Sequence, residues 1–274
     1  MQVAVMGCGW LGLPLAKMLI KQSHNIVATR RSVAGIDELS ELGISGVKFE
    51  LGLDLQQTQF DLLFTSDILF LNIPVGRKSV QSFDFIRAIE SLLIRAQQSQ
   101  IKQVLFVSST SIYGDESRQV TENSTPNPIT HSANVNFAVE KLVSNYFPKN
   151  FSILRLAGLV GETRHPVYFL SGKTGLTQPK QVVNLVHQQD VLKAIQNILD
   201  KGLWGKTFIL SATEHPSREE YYTWAAETLN LPIPQFISQE NNEKGKQIDA
   251  SASLARLGIE LTYTSPYQML QRIR

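Results

Sequence analysis

In the first half of the chain, short apolar runs alternate with stretches where apolar residues recur every three to four positions. Val3–Met6 is the first strand of this pattern. The next stretch predicts a helix from Trp10 to Lys21 with Leu11, Leu15, Met18 and Leu19 on one face, and Pro14 sits in its first turn, where proline is tolerated. Asn25–Thr29 is strand two. A short helix follows, capped by Ser32, with Ile36, Leu39 and Leu42 facing inward. Strand three is Val47–Leu51. Strand four is the continuous apolar run Ile68–Ile73, the signature of a strand covered on both faces. A long helix from Val80 to Gln97 leads to strand five, Gln103–Ser108. A further helix, Ser132–Phe147, repeats Val135, Val139, Leu142 and Tyr146 at helical spacing before strand six, Ser152–Leu156. This alternation predicts an α/β protein with a Rossmann-type, doubly wound parallel sheet.

After Gly158 the rhythm changes. Residues 161–180 are rich in Gly, Pro and Thr, as in a loop excursion. A strand at Val182–Val186, a helix at Asp190–Leu199 and a strand at Thr207–Leu210 return to the sheet. Ser217 and Glu220 form an S-x-x-E capping box ahead of a helix at Glu219–Leu229. The tail from Ile233 carries two short helical patterns. The expected division is a cofactor-binding Rossmann domain over 1–160, completed by 181–211, and a small substrate lobe made of 161–180 and 212–274. The lobe is expected over the carboxyl ends of the strands, where ligands sit in open α/β sheets.

Composition narrows the classes. The 274 residues are 43% hydrophobic and 18% charged, with a formal net charge of +2. This is an ordinary globular balance with no broad field for nucleic acid or a membrane surface. The one cysteine, Cys8, cannot form an internal disulfide. The longest apolar run, Ile68–Val75, is interrupted by Asn72 and Pro74 and is too short to span a bilayer. With the first strand starting at Val3 there is no room for a signal peptide, so a cytoplasmic location is expected. The five histidines and one cysteine show no H-x-x-H or C-x-x-C spacing, and no metal site is expected.

The chemistry begins at Gly7-Cys8-Gly9-Trp10-Leu11-Gly12, a G-x-G-x-x-G turn between a strand and a helix. Gly7 permits the sharp turn, Gly9 lets the backbone approach a pyrophosphate, and Gly12 lets helix and strand pack closely. Trp10 and Leu11 lie at the helix start, whose N–H groups and dipole favour phosphate. The end of strand two selects the nicotinamide cofactor: a carboxylate there binds the ribose hydroxyls of NAD, and arginine receives the 2′-phosphate of NADP. The chain has Thr29-Arg30-Arg31-Ser32, with no carboxylate until Asp37. Paired guanidinium forks suit a phosphate dianion, so NADP(H) is expected over NAD(H).

Three further stretches carry a resemblance. They are Val107-Ser-Ser-Thr-Ser-Ile-Tyr-Gly114, Arg155-Leu-Ala-Gly-Leu-Val-Gly161 running into Arg164-His165-Pro166, and Val183-Asn-Leu-Val-His187 followed by Asp190. With the glycine turn they resemble the extended short-chain dehydrogenase/reductases, the NAD-dependent epimerase/dehydratase family, and within it the small YeeZ-type group. The likeness runs over essentially the whole chain. It implies cofactor contacts at Asn72, Ile73 and Pro74 after strand four, at Ser108 after strand five, and at Ala157 and Gly158 after strand six. Asp54 or its neighbour Leu53 takes the place of an aspartate near the adenine. The resemblance also implies a homodimer.

Family members of known activity use a serine after strand five and a Tyr-x-x-x-Lys on the next helix, in which the lysine lowers the tyrosine pKa for general acid–base work. Ser109 falls on the serine position. Counting back from Glu140, Asn136 stands at the lysine position and Ser132 at the tyrosine position, and no Tyr-x-x-x-Lys occurs between Ser108 and Phe151. The replacements to weigh are His131, which titrates in the useful range, and Tyr113, for which packing in the turn is the competing role. His165 and His187 flank the lobe and read better as structural residues than as catalysts.

Two functions therefore stand. One is an oxidoreductase on a small, unidentified molecule with an unusual proton donor. The other is a non-catalytic NADP(H)-binding redox sensor. The arginine assignment predicts that Arg30→Ala weakens NADPH binding far more than NADH binding in equilibrium titrations; equal losses would reject it.

Overall fold

The computed structural model describes residues 1–75, 82–237 and 243–270. The chain runs β1 (Gln2–Met6), α1 (Gly12–Lys21), β2 (Asn25–Arg30), α2 (Val33–Glu41), β3 (Ser45–Lys48), α3 (Asp61–Phe64), β4 (Ile68–Leu71), α4 (Ser82–Gln97) and β5 (Gln103–Ser109). It continues through β6 (Gln119–Val120), α5 (His131–Tyr146), β7 (Phe151–Leu156), β8 (Gly158–Val160), α6 (Pro166–Leu170), β9 (Leu185–His187), α7 (Gln188–Lys201) and β10 (Lys206–Leu210). The tail adds α8 (Arg218–Thr228), β11 (Gln247–Ile248) and α9 (Ser251–Leu257). Seven strands form the expected parallel sheet in the order β10-β7-β5-β4-β1-β2-β3. The order reverses beside β1, which pairs in parallel with both β2 and β4, so the chain's switch point lies between the ends of β1 and β4.

Contacts within the chain divide it into two units. The first comprises 1–112, 128–154 and 203–207, and the second 113–127, 155–202 and 208–274. The second unit therefore takes in 113–127, 155–160, 181–202 and 208–211, stretches that the strand–helix alternation grouped with the Rossmann domain.

In the first unit the sheet residues alternate between two faces, as the pleat requires. Ala4, Met6, Leu69, Leu71, Val104 and Phe106 share one cluster with Ile89, Leu92 and Leu93 of α4 and Val135, Val139 and Val143 of α5. The spacing on both helices puts one apolar stripe on that face. Gln97 Nε2 donates to the Tyr146 carbonyl at 2.9 Å and the Tyr146 hydroxyl donates to Glu90 at 3.0 Å, tying α4 to α5. On the other face α1 rests against Val5, with Leu15, Ala16 and Leu19 buried.

Several boundaries differ from expectation for a common reason: a strand ends where its neighbour stops pairing. Strand three runs Ser45–Lys48 rather than Val47–Leu51, because its register is set by Val27–Arg30 of β2. Strand four stops at Leu71, and Asn72 turns back to the Met6 carbonyl. Leu42 is exposed at the end of α2 instead of facing inward, and on α5 the fully buried Val143 joins the stripe, with Leu142 and Tyr146 half-buried against the same cluster. Val80 and Gln81, expected at the start of α4, lie outside the described residues.

The second unit is built on α7, α8 and the tail. Val191, Ala194, Ile195 and Ile198 of α7 are buried, and the helix ends at Gly202 with φ of 62°. The Asp190 carboxylate, fully buried, accepts N–H bonds from Thr262 at 2.7 Å and Tyr263 at 3.1 Å, clamping the tail. Ser217 caps α8 as expected, with its Oγ 3.4 Å from the Glu220 N–H. The reciprocal capping box, however, is at Ser265 and Gln268. The Val182–Val186 strand is replaced by Leu185–His187, paired in parallel with β8. The short pair β6 with β11 and the strand β8 had no sequence signal, since each is too short to show a period.

Both flanking histidines are structural. His187 caps α7, its Nδ1 accepting from the Gln189 N–H at 3.2 Å and its ring lying 3.8 Å from that of Tyr263. His165 caps α6 in the same way, its Nδ1 accepting from the Val167 N–H at 3.2 Å. That leaves its Nε2–H to donate to the Tyr221 hydroxyl at 2.8 Å, which in turn donates to the Pro266 carbonyl at 2.9 Å. This chain needs a neutral imidazole, and burial lowers the His165 pKa from 6.5 to about 4. Burial also lowers the pKa of His187 and of His215.

An unfolded chain binds protons at these positions that the folded one refuses. The stabilisation is therefore complete above about pH 6.5 and is lost as pH falls towards 4. His165 alone accounts for on the order of 3 kcal/mol across that window. Melting curves between pH 7 and pH 4.5 should show a falling Tm. His165→Asn, which keeps a good cap residue and removes the titration, should flatten that fall even though it lowers the plateau.

Candidate functional site

At the carboxyl end of β1 the chain turns through Gly7 with φ of 90°, a conformation in the left-handed half of the map that favours glycine. A side chain there would also collide: a Cβ on Gly7 would lie 2.3 Å from the Asn72 carbonyl oxygen. Two neighbours hold the turn from opposite sides. The Gly7 N–H donates to Thr29 Oγ1 on β2 at 2.9 Å, and Asn72 Nδ2, just past β4, donates to the Gly7 carbonyl at 3.1 Å. Cys8 N–H donates to the Thr29 carbonyl at 3.2 Å. Thr29 is buried, and nothing in its strand-like surroundings had marked it as part of the site. Asn72 was expected near the cofactor; its side chain secures the loop. Ile73 packs on the hydrophobic cluster and Pro74 is exposed.

The other two glycines have separate tasks. A Cβ on Gly12 would meet the Gly7 carbonyl at 2.6 Å and Val5 at 3.2 Å, so α1 approaches β1 only because position 12 is bare. A Cβ on Gly9 would meet nothing within 4 Å. Gly9 therefore faces open space beside the first turn of α1, where the Leu13 and Leu15 N–H groups donate to the Gly9 and Leu11 carbonyls and Pro14 carries none, so the capacity for an anion rests on the amides ahead of Leu13. Trp10 and Leu11 precede that turn, with Leu11 at the cap position. A tight turn, a bare residue facing outward and a helix start together make a cradle for a dinucleotide's pyrophosphate, and the residues fit that group. Cys8 is buried in the turn, and burial pushes its thiol up to about 11 despite the nearby Arg30, so it stays a protonated packing residue.

Arg30 is the last residue of β2. Its guanidinium is 3.5 Å from Glu38 of α2, and its Nε is buried without a hydrogen-bond partner. Arg31 is exposed. Asp54 is exposed too, and its Oδ1 accepts from the Gln56 N–H at 3.0 Å in a local turn.

At the end of β5 the two serines separate. Ser108 is buried, and its hydroxyl donates to Glu140 of α5 at 2.5 Å. Glu140 thus locks the strand end to the helix, a role that its sequence position did not reveal. Ser109 is half-buried, and its Oγ accepts from the Ser111 N–H at 3.1 Å, which leaves its hydroxyl hydrogen to give. On α5, His131 occupies the first turn and is exposed, as is Ser132, while Asn136 is half-buried. No cation stands at the lysine position.

Tyr113 belongs to the second unit and is corrected as a catalytic candidate. It is completely buried, and its oxygen accepts from Arg155 Nη1 at 2.6 Å. Arg155 also donates to the Glu122 carbonyl at 3.2 Å, so the phenol is held in a packed polar core. Also in that unit, the Ala157 N–H donates to the Leu210 carbonyl at 3.0 Å and the Gly158 N–H to that of Asn184 at 2.9 Å. Neither amide is left to offer a ligand. Gly158 is bare because Leu185 packs 2.7 Å from where its Cβ would stand.

No family model matches the chain. It is 34% identical over 270 residues to Protein YeeZ of Escherichia coli K12, covering 98% of both chains. Among solved structures it is similar to UDP-glucuronic acid 4-epimerase from Bacillus cereus in complex with NAD, with a TM-score of 0.81 at 17% identity over 99% of this chain and 96% of that one. It is similar to UDP-N-acetylglucosamine 4-epimerase from the same organism with a TM-score of 0.77 at 16% identity, covering 96% and 94%. A functionally unknown conserved protein from Silicibacter pomeroyi matches with a TM-score of 0.76 at 20% identity, covering 98% and 96%. The chain belongs to the YeeZ family, and its fold is that of the extended short-chain dehydrogenase/reductases, the epimerase/dehydratase group.

Proposed function

We propose that the chain is an NADP(H)-dependent oxidoreductase of the extended short-chain dehydrogenase/reductase type, acting on a small molecule without the usual tyrosine–lysine pair. The observation that carries this reading is the pinned glycine turn, in which Gly7 is held by Thr29 and Asn72 while Gly9 faces open space. The NAD bound by the Bacillus cereus epimerase of the same fold supports a nicotinamide cofactor. The preference for the phosphorylated form rests on Arg30 and Arg31, which stand where a ribose-binding carboxylate would favour NAD.

The chemistry a bound nicotinamide supplies is hydride transfer. The chain's own part is to orient the substrate oxygen and to move a proton. Ser109, with its hydroxyl hydrogen unspent on the backbone, donates a hydrogen bond to that oxygen. His131 exchanges the proton, a task to which an imidazole, with one ring nitrogen to give and one to take, is suited. The second reading, a redox sensor that binds NADP(H) and performs no chemistry, is favoured by one observation: Ser132 and Asn136 fill the positions of the tyrosine and lysine.

Two experiments test these statements. Gly9→Ala should fold with an unchanged Tm and lose NADPH affinity by tenfold or more (about 1.4 kcal/mol), whereas Gly7→Ala should cost roughly 1–3 kcal/mol or more in stability. Normal NADPH affinity in Gly9→Ala would reject the cradle. Purified protein given NADPH with a panel of aldehydes, ketones and imines should oxidise the cofactor with at least one of them. Ser109→Ala and His131→Ala should reduce that rate by about a hundredfold or more. Tight binding with no turnover on any member selects the sensor.

A further inference from the structure

At the end of β2, Arg30 does not stand alone, and its surroundings point to a second residue that sets cofactor choice. Its stem lies along the first turn of α2, where Gly35 makes room: a Cβ on Gly35 would sit 3.1 Å from both Cβ and Cγ of Arg30. One turn further on, Glu38 reaches the guanidinium at Nη2 from 3.5 Å, a long contact to a carboxylate that is 65% exposed. The Nε that shares an edge with Nη2 is buried and has no acceptor. The side fork of the guanidinium is therefore half engaged. A buried donor without a partner is a cost carried by the ligand-free protein. A doubly charged phosphate accepts from such a fork in bidentate fashion more strongly than a distant carboxylate does.

We propose that Glu38 and Gly35 are specificity-determining residues of the cofactor site. Gly35 positions Arg30, and Glu38 competes with the 2′-phosphate of the adenosine ribose for its guanidinium. This inference rests on the cofactor reading above and extends it. Arg30 is the phosphate ligand, Gly35 the space that lets its stem pass, and Glu38 a built-in brake. With the brake in place the discrimination against a cofactor lacking the 2′-phosphate is moderate. Glu38 repels the phosphate and holds the arginine that would bind it, while leaving the rest of the dinucleotide cradle untouched.

The test uses the full chain and two probes that differ by the phosphate alone, adenosine 2′,5′-bisphosphate and adenosine 5′-monophosphate, titrated by calorimetry at fixed low salt. The unaltered protein should bind the bisphosphate more tightly. Glu38→Gln should increase that ratio about two- to fivefold, the range expected for removing an exposed ion pair. It should do so by tightening the bisphosphate and leaving the monophosphate unchanged. Gly35→Ala should collapse the ratio towards unity with monophosphate affinity intact. Its Cβ would also crowd the Ser32 cap oxygen at 3.1 Å, so its Tm is measured alongside, and the intact monophosphate affinity shows that the unit is folded. Raising the salt should shrink the Glu38→Gln effect. If the unaltered protein prefers the bisphosphate but neither variant changes the ratio, the roles of Glu38 and Gly35 are overturned while the cofactor reading stands. If Glu38→Gln weakens both probes equally, its role is structural and the proposal also fails. If the unaltered protein binds the two probes equally, the NADP(H) assignment itself is overturned, and with it the inference.

Discussion

The peptide at Gly7 is the constraint on which the first unit depends. Its φ of 90° and the 2.3 Å that would separate a Cβ from the Asn72 oxygen leave glycine as the residue the turn can hold. Because β1 lies between β2 and β4, both neighbouring strands deliver a side chain to the same peptide: Thr29 takes its N–H and Asn72 gives to its carbonyl. The Cys8 and Gly9 N–H groups are paired as well, with the Thr29 and Gly7 carbonyls, so the turn is held at three successive amides. The turn then aims α1, which closes on β1 because Gly12 has no side chain to meet the Gly7 carbonyl. The result is a helix start held at a fixed place and angle at the sheet's switch point, the arrangement that binds an anion without any charged side chain.

Around this rigid cradle the charged groups follow a different logic. Arg155 is committed to the Tyr113 phenol and the Glu122 carbonyl in the core of the second unit. Glu140 is committed to Ser108. Buried charges of this kind are kept because removing one partner strands the other, and they are poor candidates for chemistry. By contrast, Arg30 keeps a buried Nε without an acceptor, and Ser109 is bonded through its oxygen alone. On α5, Ser132 is exposed and Asn136 half-buried, and neither side chain carries a charge.

Much of this was legible in the residues. The glycine spacing located the tight turn, Ser32 and Ser217 marked helix starts that the structure confirms, and the apolar run Ile68–Ile73 contains a strand, Ile68–Leu71, buried along its whole length. Other elements left no trace. Thr29 looked like a strand former, since a β-branched residue in a strand carries no sign that its hydroxyl is a clamp. Glu140 looked like a landmark on a helix. The two-residue strands Gln119–Val120 and Gln247–Ile248 are far apart in sequence, and pairs of that length have no period to detect. The reciprocal capping box at Ser265 and Gln268 was passed over for Ser217 and Glu220, because the motif is satisfied only when both side chains adopt the right rotamers.

The sequence by itself determined the alternation of the main strands and helices, the parallel doubly wound sheet and the tight glycine turn after the first strand. These are local matters: periodicity, conformational freedom and the spacing of three glycines within one turn. It also shows that no Tyr-x-x-x-Lys occurs between Ser108 and Phe151. Only the tertiary structure decided which polar residues are spent on the fold and which stay available. That depends on partners distant in sequence, Gly7 with Thr29 and Asn72, Ser108 with Glu140, Tyr113 with Arg155, Asp190 with Thr262 and Tyr263. A side chain's chemistry is set by whether it is desolvated and bonded, and those conditions arise only when the distant residues meet.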